Sequence, residues 1–98
     1  MSGQLVLRLE ALLDVKEGAA WYEDQRPGLG ERFTAELDDL LARIARSSLQ
    51  FPEIEQGVRS GLLRKFPYAV YFLREDDLVI VFSVLHQRRN PDLWKSRV

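Results

Sequence analysis

The chain has 98 residues, of which 46% are hydrophobic and 30% charged, and its formal net charge is -1 at pH 7. A chain of this length builds one hydrophobic core, so we expect a single domain over residues 1–98. It has no cysteine and one histidine, which excludes disulfides, Cys-ligated zinc and His-rich metal sites, and we expect no metal or cofactor. The longest apolar run, Leu78 to Leu85, is shorter than the about 20 residues that cross a membrane, and the N-terminus lacks the features of a signal peptide. We therefore expect a cytoplasmic protein with no membrane partner.

Charge is divided unevenly along the chain. Residues 1–57 carry eleven acidic and six basic side chains, whereas residues 58–98 carry eight basic and four acidic ones. This division predicts either a cationic surface that attracts an anionic partner or two halves that attract each other across the fold. The pI of 5.8 is not typical of a nonspecific nucleic-acid binder.

The first half of the sequence predicts a strand and two helices. Gln4 to Leu9 alternates polar and apolar residues, which indicates a short strand. An amphipathic helix of about four turns follows, with its apolar face formed by Leu12, Val15, Ala19 and Tyr22. Pro27-Gly28 interrupts the helical pattern, and a second helix then runs to about Ser47. Its apolar face comprises Leu29, Phe33, Leu37, Leu40, Leu41 and Ile44. So short a link predicts an antiparallel hairpin of the two helices.

The second half predicts strands. The candidates are Val58 to Lys65, Pro67 to Arg74 and Leu78 to His86, and a short hairpin joins the last two. The tail from Asn90 to Trp94 predicts a turn of helix. The element order is β-α-α-β-β-β, which predicts an α+β fold of two layers. A helical hairpin packs on a mostly antiparallel four-stranded sheet, whose other face is partly open.

Three polar or aromatic clusters are candidate functional groups. Arg59, Arg64 and Lys65 form a cationic segment, although cations also protect a solvated sheet edge. Tyr68, Tyr71 and Phe72 could stack on bases or anchor a peptide. The two tyrosines lie on opposite faces of a strand, so at most one of them is expected to be functional.

The third cluster is His86-Gln87-Arg88-Arg89, at the end of the last predicted strand. A histidine beside two arginines could meet a phosphate and transfer a proton. The alternative is a polar strand end that the packing of Trp94 holds in place.

The stretches that carry these clusters also resemble a known family. They are WYEDQRPGLGERF at 21–33, Phe51-Pro52, Arg59, LLRKFPYAVYF at 62–72 and VLHQRRNPDLWKSR at 84–97. Together they resemble the RelE/ParE superfamily of type II toxin–antitoxin toxins, and most closely its ParE-like branch, often described as plasmid stabilisation proteins. The resemblance implies a microbial-RNase-like fold, growth inhibition, and neutralisation by an antitoxin from the same operon.

The resemblance also implies how the antitoxin binds. The candidates for apolar contact with the antitoxin are Trp21, Tyr22, Leu29 and Phe33. The candidates for pairing with its acidic side chains are Arg59, Arg64 and Arg88. The remaining candidates for contact with antitoxin or target are Tyr68, Tyr71, Arg89 and Trp94. A homodimer and a heterotetramer with antitoxin both stay open.

Two activities occur in the superfamily that this sequence resembles. ParE-like members inhibit DNA gyrase by protein contact, and RelE-like members cut messenger RNA on the ribosome. Nucleases of this superfamily commonly have an arginine where this sequence has Ala69, and a tyrosine near the C-terminal end, where Gln87 follows His86. The absence of both residues favours the gyrase inhibitor. The alternative is a metal-independent endoribonuclease that uses His86 with Arg64 or Arg88. A third reading is a domain that has lost toxicity and still binds antitoxin.

Overall fold

The computed structural model describes residues 4–98, and it contains the predicted elements and one further strand. The helices and strands are β1 (Gln4–Leu7), α1 (Leu9–Gln25), α2 (Leu29–Ser47), β2 (Glu53–Glu55), β3 (Val58–Leu62), β4 (Tyr68–Glu75) and β5 (Leu78–His86). Short 3₁₀ helices follow α2 (Ser48–Gln50) and end the chain (Leu93–Arg97). The predicted domain began at residue 1, and its first three residues lie outside the described part.

The sheet has five strands in the order β1-β5-β4-β3-β2. β1 runs parallel to β5, and the other neighbouring strands are antiparallel. The predicted α+β fold is confirmed, but the prediction of four strands is wrong because β2 adds a fifth at one edge. A turn at Gln56 (φ 46°) and Gly57 (φ 84°) returns β2 onto β3. The carboxylate of Glu53 accepts the Gly57 N–H at 3.0 Å and stabilises this turn.

The helical hairpin packs on one face of the sheet. In α2 the predicted face is buried, with Phe33, Leu37, Leu40 and Ile44 in the core. In α1 the buried residues are Ala11, Gly18 and Tyr22. Leu12, predicted to be on the buried face, is 45% exposed. Its place is taken by small residues, because α1 lies close to the sheet and to α2.

Both faces of the sheet carry a core. Under the helices lie Tyr68, Val70 and Phe72 of β4. On the other face a second cluster comprises Val58, Ala69, Tyr71, Phe82, Leu85 and Trp94. The C-terminal segment supplies Trp94, whose ring stacks on Tyr71 with centroids 5.4 Å apart and planes 13° apart. The C-terminal segment thus covers part of this face, whereas Val6 and Leu62 on the same face stay exposed.

An ion pair fixes the C-terminal segment to α1. Arg97 donates from Nη1 and Nη2 to the carboxylate of Asp14, at 2.6 and 3.2 Å. Nη1 also lies 3.2 Å from the Ser83 hydroxyl oxygen, to which it donates. The same carboxylate accepts the Val84 N–H at 2.9 Å. One acidic side chain thus joins helix, strand and tail. Within residues 4–98, no helix combines the length and apolar character that crossing a bilayer requires.

Candidate functional site

Aromatic rings converge where the end of α1 and the start of α2 meet the start of β4. Tyr22 lies edge-on to Phe66 with centroids 4.7 Å apart, and Phe33 lies edge-on to Tyr68 at 4.9 Å. Such edge-to-face pairs add to the stability gained from burial. Phe33 is fully buried, so it supports the surface from beneath and presents nothing to a partner. These ring contacts pack the two helices against the start of β4.

Trp21 and Arg89 form the exposed rim of that cluster. Trp21 is 44% exposed, and the Arg89 guanidinium lies 5.0 Å from its ring centroid, in cation–π geometry. Nη2 of Arg89 donates to the Tyr68 hydroxyl at 3.3 Å. Burial raises the pKa of Tyr68 above its ordinary value of 10.0, while Arg89 opposes the rise. The hydroxyl therefore stays neutral and accepts from Arg89.

His86 ends β5 with its imidazole turned into the chain that follows it. Its Nδ1 atom accepts the backbone N–H groups of Arg88 and Arg89, at 3.1 and 3.2 Å. Burial lowers the pKa of His86 below 6.5, and the charges of Arg89 and Arg88 lower it further. At neutral pH the ring is neutral, with its proton on Nε2 and its lone pair at Nδ1 already engaged.

A groove runs along one side of α2, and we call it the α2 groove. Its wider part has a volume of about 640 Å³, with Tyr22, Leu29, Phe66 and Pro67 as apolar lining. A smaller hollow of about 230 Å³ shares Glu36, Asp39 and Arg64 with it and continues to Arg43. The cations that line the two parts are Arg32, Arg43, Arg64 and Lys65; the anions are Glu36 and Asp39.

Glu36 holds the loop that carries the two cations between β3 and β4. Its carboxylate accepts the backbone N–H groups of Arg64 and Lys65. These amides occupy the carboxylate, and the side chains of Arg64 and Lys65 remain exposed. The loop is thereby fixed with its cations beside the groove.

Other predicted site residues lie elsewhere. Arg59 on β3 donates to the Phe51 carbonyl at 2.6 Å and lies 3.8 Å from the Glu53 carboxylate, so it ties β2 and the preceding turn to the sheet. Tyr71 and Trp94 stack on the opposite face and are buried. Arg88 is exposed at the end of β5.

The three residues proposed for a nuclease, His86, Arg64 and Arg88, differ in their relation to the α2 groove. Arg64 lines the α2 groove, whereas His86 and Arg88 are not among its lining residues. Within residues 4–98, no group of three His, Asp or Glu side chains could hold a metal ion.

Sequence reasoning missed several residues of the groove: Arg32, Glu36, Asp39, Arg43, Phe66 and Pro67. A signal was available on α2, because Leu29, Arg32, Glu36, Asp39 and Arg43 recur every three or four residues. That spacing places them on one stripe of a helix. The contact of this stripe with the β3–β4 loop depends on tertiary packing.

Comparisons with known proteins agree with this architecture. The structure resembles a chain of the chromosomal ParDE toxin–antitoxin system from P. aeruginosa, at a TM-score of 0.77 and 15% identity over 87% of this chain and 96% of that one. It also resembles a chain of the toxin–antitoxin complex RelBE2 from Mycobacterium tuberculosis, at a TM-score of 0.62 and 15% identity over 88% of this chain and 99% of that one. No curated protein sequence matches at a significant level.

This chain thus shares its two-helix hairpin on a five-stranded sheet with chains of two toxin–antitoxin systems. The family model that matches is the ParE toxin of the type II toxin–antitoxin system parDE, over residues 5–91. The chain belongs to the ParE toxin family, and the predicted resemblance is confirmed.

Proposed function

We propose that this ParE-family toxin stops growth by binding DNA gyrase, and that a cognate antitoxin silences it by occupying the α2 groove. The proposal that the toxin binds gyrase, and does not cleave RNA, rests on the hydrogen bonding of the His86 ring. Its lone pair at Nδ1 is taken by two backbone amides, and its remaining nitrogen carries a proton. A general base needs a free lone pair within reach of the substrate proton, so this imidazole is poorly suited to cleave RNA.

The placement of the arginines supports the same proposal. Stabilising a pentacoordinate phosphate requires cations that converge on one point. Arg64 lies on the α2 groove, and Arg89 is engaged with Trp21 and Tyr68. A toxin with this arrangement acts better through contact with a protein than through hydrolysis.

The α2 groove suits an amphipathic helix with acidic flanks. From Leu29 to Arg43 the groove follows about 21 Å of helix, at about 1.5 Å per residue. That length accommodates about four turns of a partner helix, with apolar side chains on Tyr22 and Phe66. Four lining cations against two anions favour a partner with net negative charge. Both structural relatives belong to toxin–antitoxin systems, which supports an antitoxin as that partner.

A supercoiling assay tests the proposed target. Purified toxin is added to DNA gyrase with relaxed plasmid, and we expect loss of supercoiling or accumulation of cleaved DNA as toxin increases. Preincubation with the antitoxin should restore supercoiling. Unchanged supercoiling at toxin concentrations that exceed those of gyrase would refute gyrase as the target.

The competing activity is ribosome-dependent cleavage of messenger RNA. Primer extension on translated messages after induction of the toxin would detect it as cuts at fixed codon positions. We expect no such cuts. Cuts that disappear in His86→Ala, while the variant still binds antitoxin, would establish the nuclease in place of the gyrase inhibitor.

Calorimetric titration tests the proposed antitoxin site. The probe is the protein encoded beside the toxin gene, titrated into wild-type toxin and into the double variant Arg64→Glu/Lys65→Glu. We expect the double variant to bind at least about tenfold more weakly, because reversed charges at an interface rim oppose an acidic partner. Arg46→Glu is the matched control, since Arg46 is exposed on α2 outside the groove. Equal affinities of all three proteins would exclude the α2 groove as the antitoxin site.

A further inference from the structure

We propose that Glu36 is a positioning residue of the α2 groove: its carboxylate increases the affinity for an acidic antitoxin although it is itself an anion. This role rests on the antitoxin site proposed above and adds to it a residue that acts through two others. The charge of Glu36 repels an acidic partner, whereas its hydrogen bonds hold the two cationic residues that attract that partner.

The contact of Glu36 with the β3–β4 loop joins a carboxylate to backbone amides. One oxygen, Oε2, accepts the N–H groups of both Arg64 and Lys65, the latter at 3.2 Å, and Oε1 lies 3.3 Å from the Lys65 nitrogen. Within residues 4–98, no ion pair includes Arg64 or Lys65. The carboxylate thus fixes the backbone of these residues and leaves their charged groups to pair with carboxylates of a partner.

The loop on either side of the two cationic residues is anchored without Glu36. Leu63 and Phe66 are buried, and the Leu63 N–H donates to the Tyr68 carbonyl at 3.0 Å. Loss of the Glu36 contact would therefore release only the two residues between these anchors, and the fold would be retained. Binding would then have to order their backbone together with their long side chains, which lowers affinity.

Repulsion by the charge of Glu36 acts in the opposite direction. Asp39 lines both parts of the α2 groove, as Glu36 does, and each anion repels an acidic partner. If repulsion were the only effect, neutralising either residue would strengthen binding. Hydrogen bonds distinguish the two anions, because within residues 4–98 the loop donates to Glu36 and not to Asp39.

Calorimetric titration with the protein encoded beside the toxin gene separates the two effects. Glu36→Gln removes the charge and keeps an oxygen that can accept both amides, whereas Glu36→Ala removes the charge and the acceptor. We expect Glu36→Gln and the matched control Asp39→Asn to bind at least as tightly as the wild type. Glu36→Ala should bind at least about threefold more weakly than the wild type, because the released residues are ordered only on binding. Glu36→Asp keeps the charge on a shorter side chain and should also bind more weakly.

Amide hydrogen exchange of the toxin alone gives a readout that needs no antitoxin. The N–H groups of Arg64 and Lys65 should exchange faster in Glu36→Ala than in the wild type, and Glu36→Gln should keep most of their protection. Circular dichroism should show every variant folded.

The outcomes distinguish the positioning role from the antitoxin site. Binding of Glu36→Ala as tight as that of the wild type, or unchanged exchange of the two amides, would overturn the role of Glu36. If Arg64→Glu/Lys65→Glu still binds more weakly in that case, the antitoxin site stands without it. Equal affinities of the wild type and Arg64→Glu/Lys65→Glu would refute the site and the positioning role together.

Discussion

At the residue scale, the Nδ1 atom of His86 accepts two backbone amides, and this contact makes stability depend on pH. The pKa of His86 is lower in the folded chain than its ordinary value of 6.5. Below pH 6.5 the unfolded chain therefore binds a proton that the folded chain binds only at lower pH. The unfolded state then holds more protons, so the stability of the folded state decreases as the pH is lowered.

We expect the wild-type protein to lose thermal stability between pH 7.5 and pH 5.5 more steeply than His86→Gln does. The glutamine cannot titrate, and its side-chain oxygen can still accept an amide. Thermal unfolding followed by circular dichroism at the two pH values measures the difference. Parallel curves for the two proteins would contradict the assigned contact.

A second prediction concerns Asp14, which is almost buried and joins Arg97 to the Val84 amide. Asp14→Ala leaves the Val84 N–H without its acceptor and leaves Arg97 only the Ser83 hydroxyl, and it should cost about 2–3 kcal/mol of unfolding free energy. Asp14→Asn should cost less, because its amide oxygen still accepts the Val84 N–H. Urea unfolding measures both variants, and a double-mutant cycle with Arg97→Ala isolates the ion pair. Equal losses for alanine and asparagine would argue against the role of the Val84 amide.

At the element scale, the α1–α2 hairpin depends on close approach of the two helices. A Cβ atom at Gly30 would lie 2.6 Å from the Ala19 carbonyl oxygen, whereas one at Gly18 would lie 3.1 Å from the Tyr68 hydroxyl and 3.2 Å from the Phe33 ring. Backbone atoms yield less easily than side chains. The two glycines should therefore respond differently to alanine.

We expect Gly30→Ala to lower the unfolding free energy by about 1–3 kcal/mol, as overpacking does. Gly18→Ala should cost less, because alanine gains up to about 1 kcal/mol of helix propensity there. Chemical denaturation of both variants measures the difference. A Gly30→Ala protein as stable as wild type would show that the helices can separate without loss.

The sequence predicted α2 better than α1 for a physical reason. The apolar residues of α2 occupy one face, and that face is buried. The first two turns of α1 carry leucines at positions 9, 12 and 13, so helical period does not select a single face. Burial falls instead on small residues, Ala11 and Gly18, where the helix lies closest to the core. The periodic spacing of apolar residues predicts that a helix forms, but it does not predict how close the helix lies to its neighbours.

The strand β2 escaped prediction because its sequence lacks the alternation of a half-buried strand. Two of its three residues are glutamates, and all three are exposed. The signal lay in the Gln56-Gly57 turn, whose positive φ angles favour a tight hairpin. A turn of this kind does not by itself predict a strand on its N-terminal side, because the acidic residues before it lack a strand pattern.

At the scale of the whole molecule, ion pairs connect the two unequally charged halves of the chain. Asp14–Arg97 and Glu53–Arg59 join the acidic first half to the basic second half. Arg64, Lys65 and Arg88 stay exposed and can meet an anionic partner. The sequence located these cations but could not show that Glu36 and α2 form a groove beside them, since that contact links residues 28 and 29 positions apart.

We expect this toxin to act by recognising its target, without a reaction at His86. The decisive measurement is growth after induction of His86→Ala/Arg88→Ala without antitoxin, with expression and antitoxin binding measured alongside. Growth should stop as it does with the wild-type toxin, because neither side chain lines the α2 groove and the proposed mode of action assigns no reaction to them. Normal growth with a folded, expressed variant that still binds antitoxin would show that these side chains are needed for toxicity.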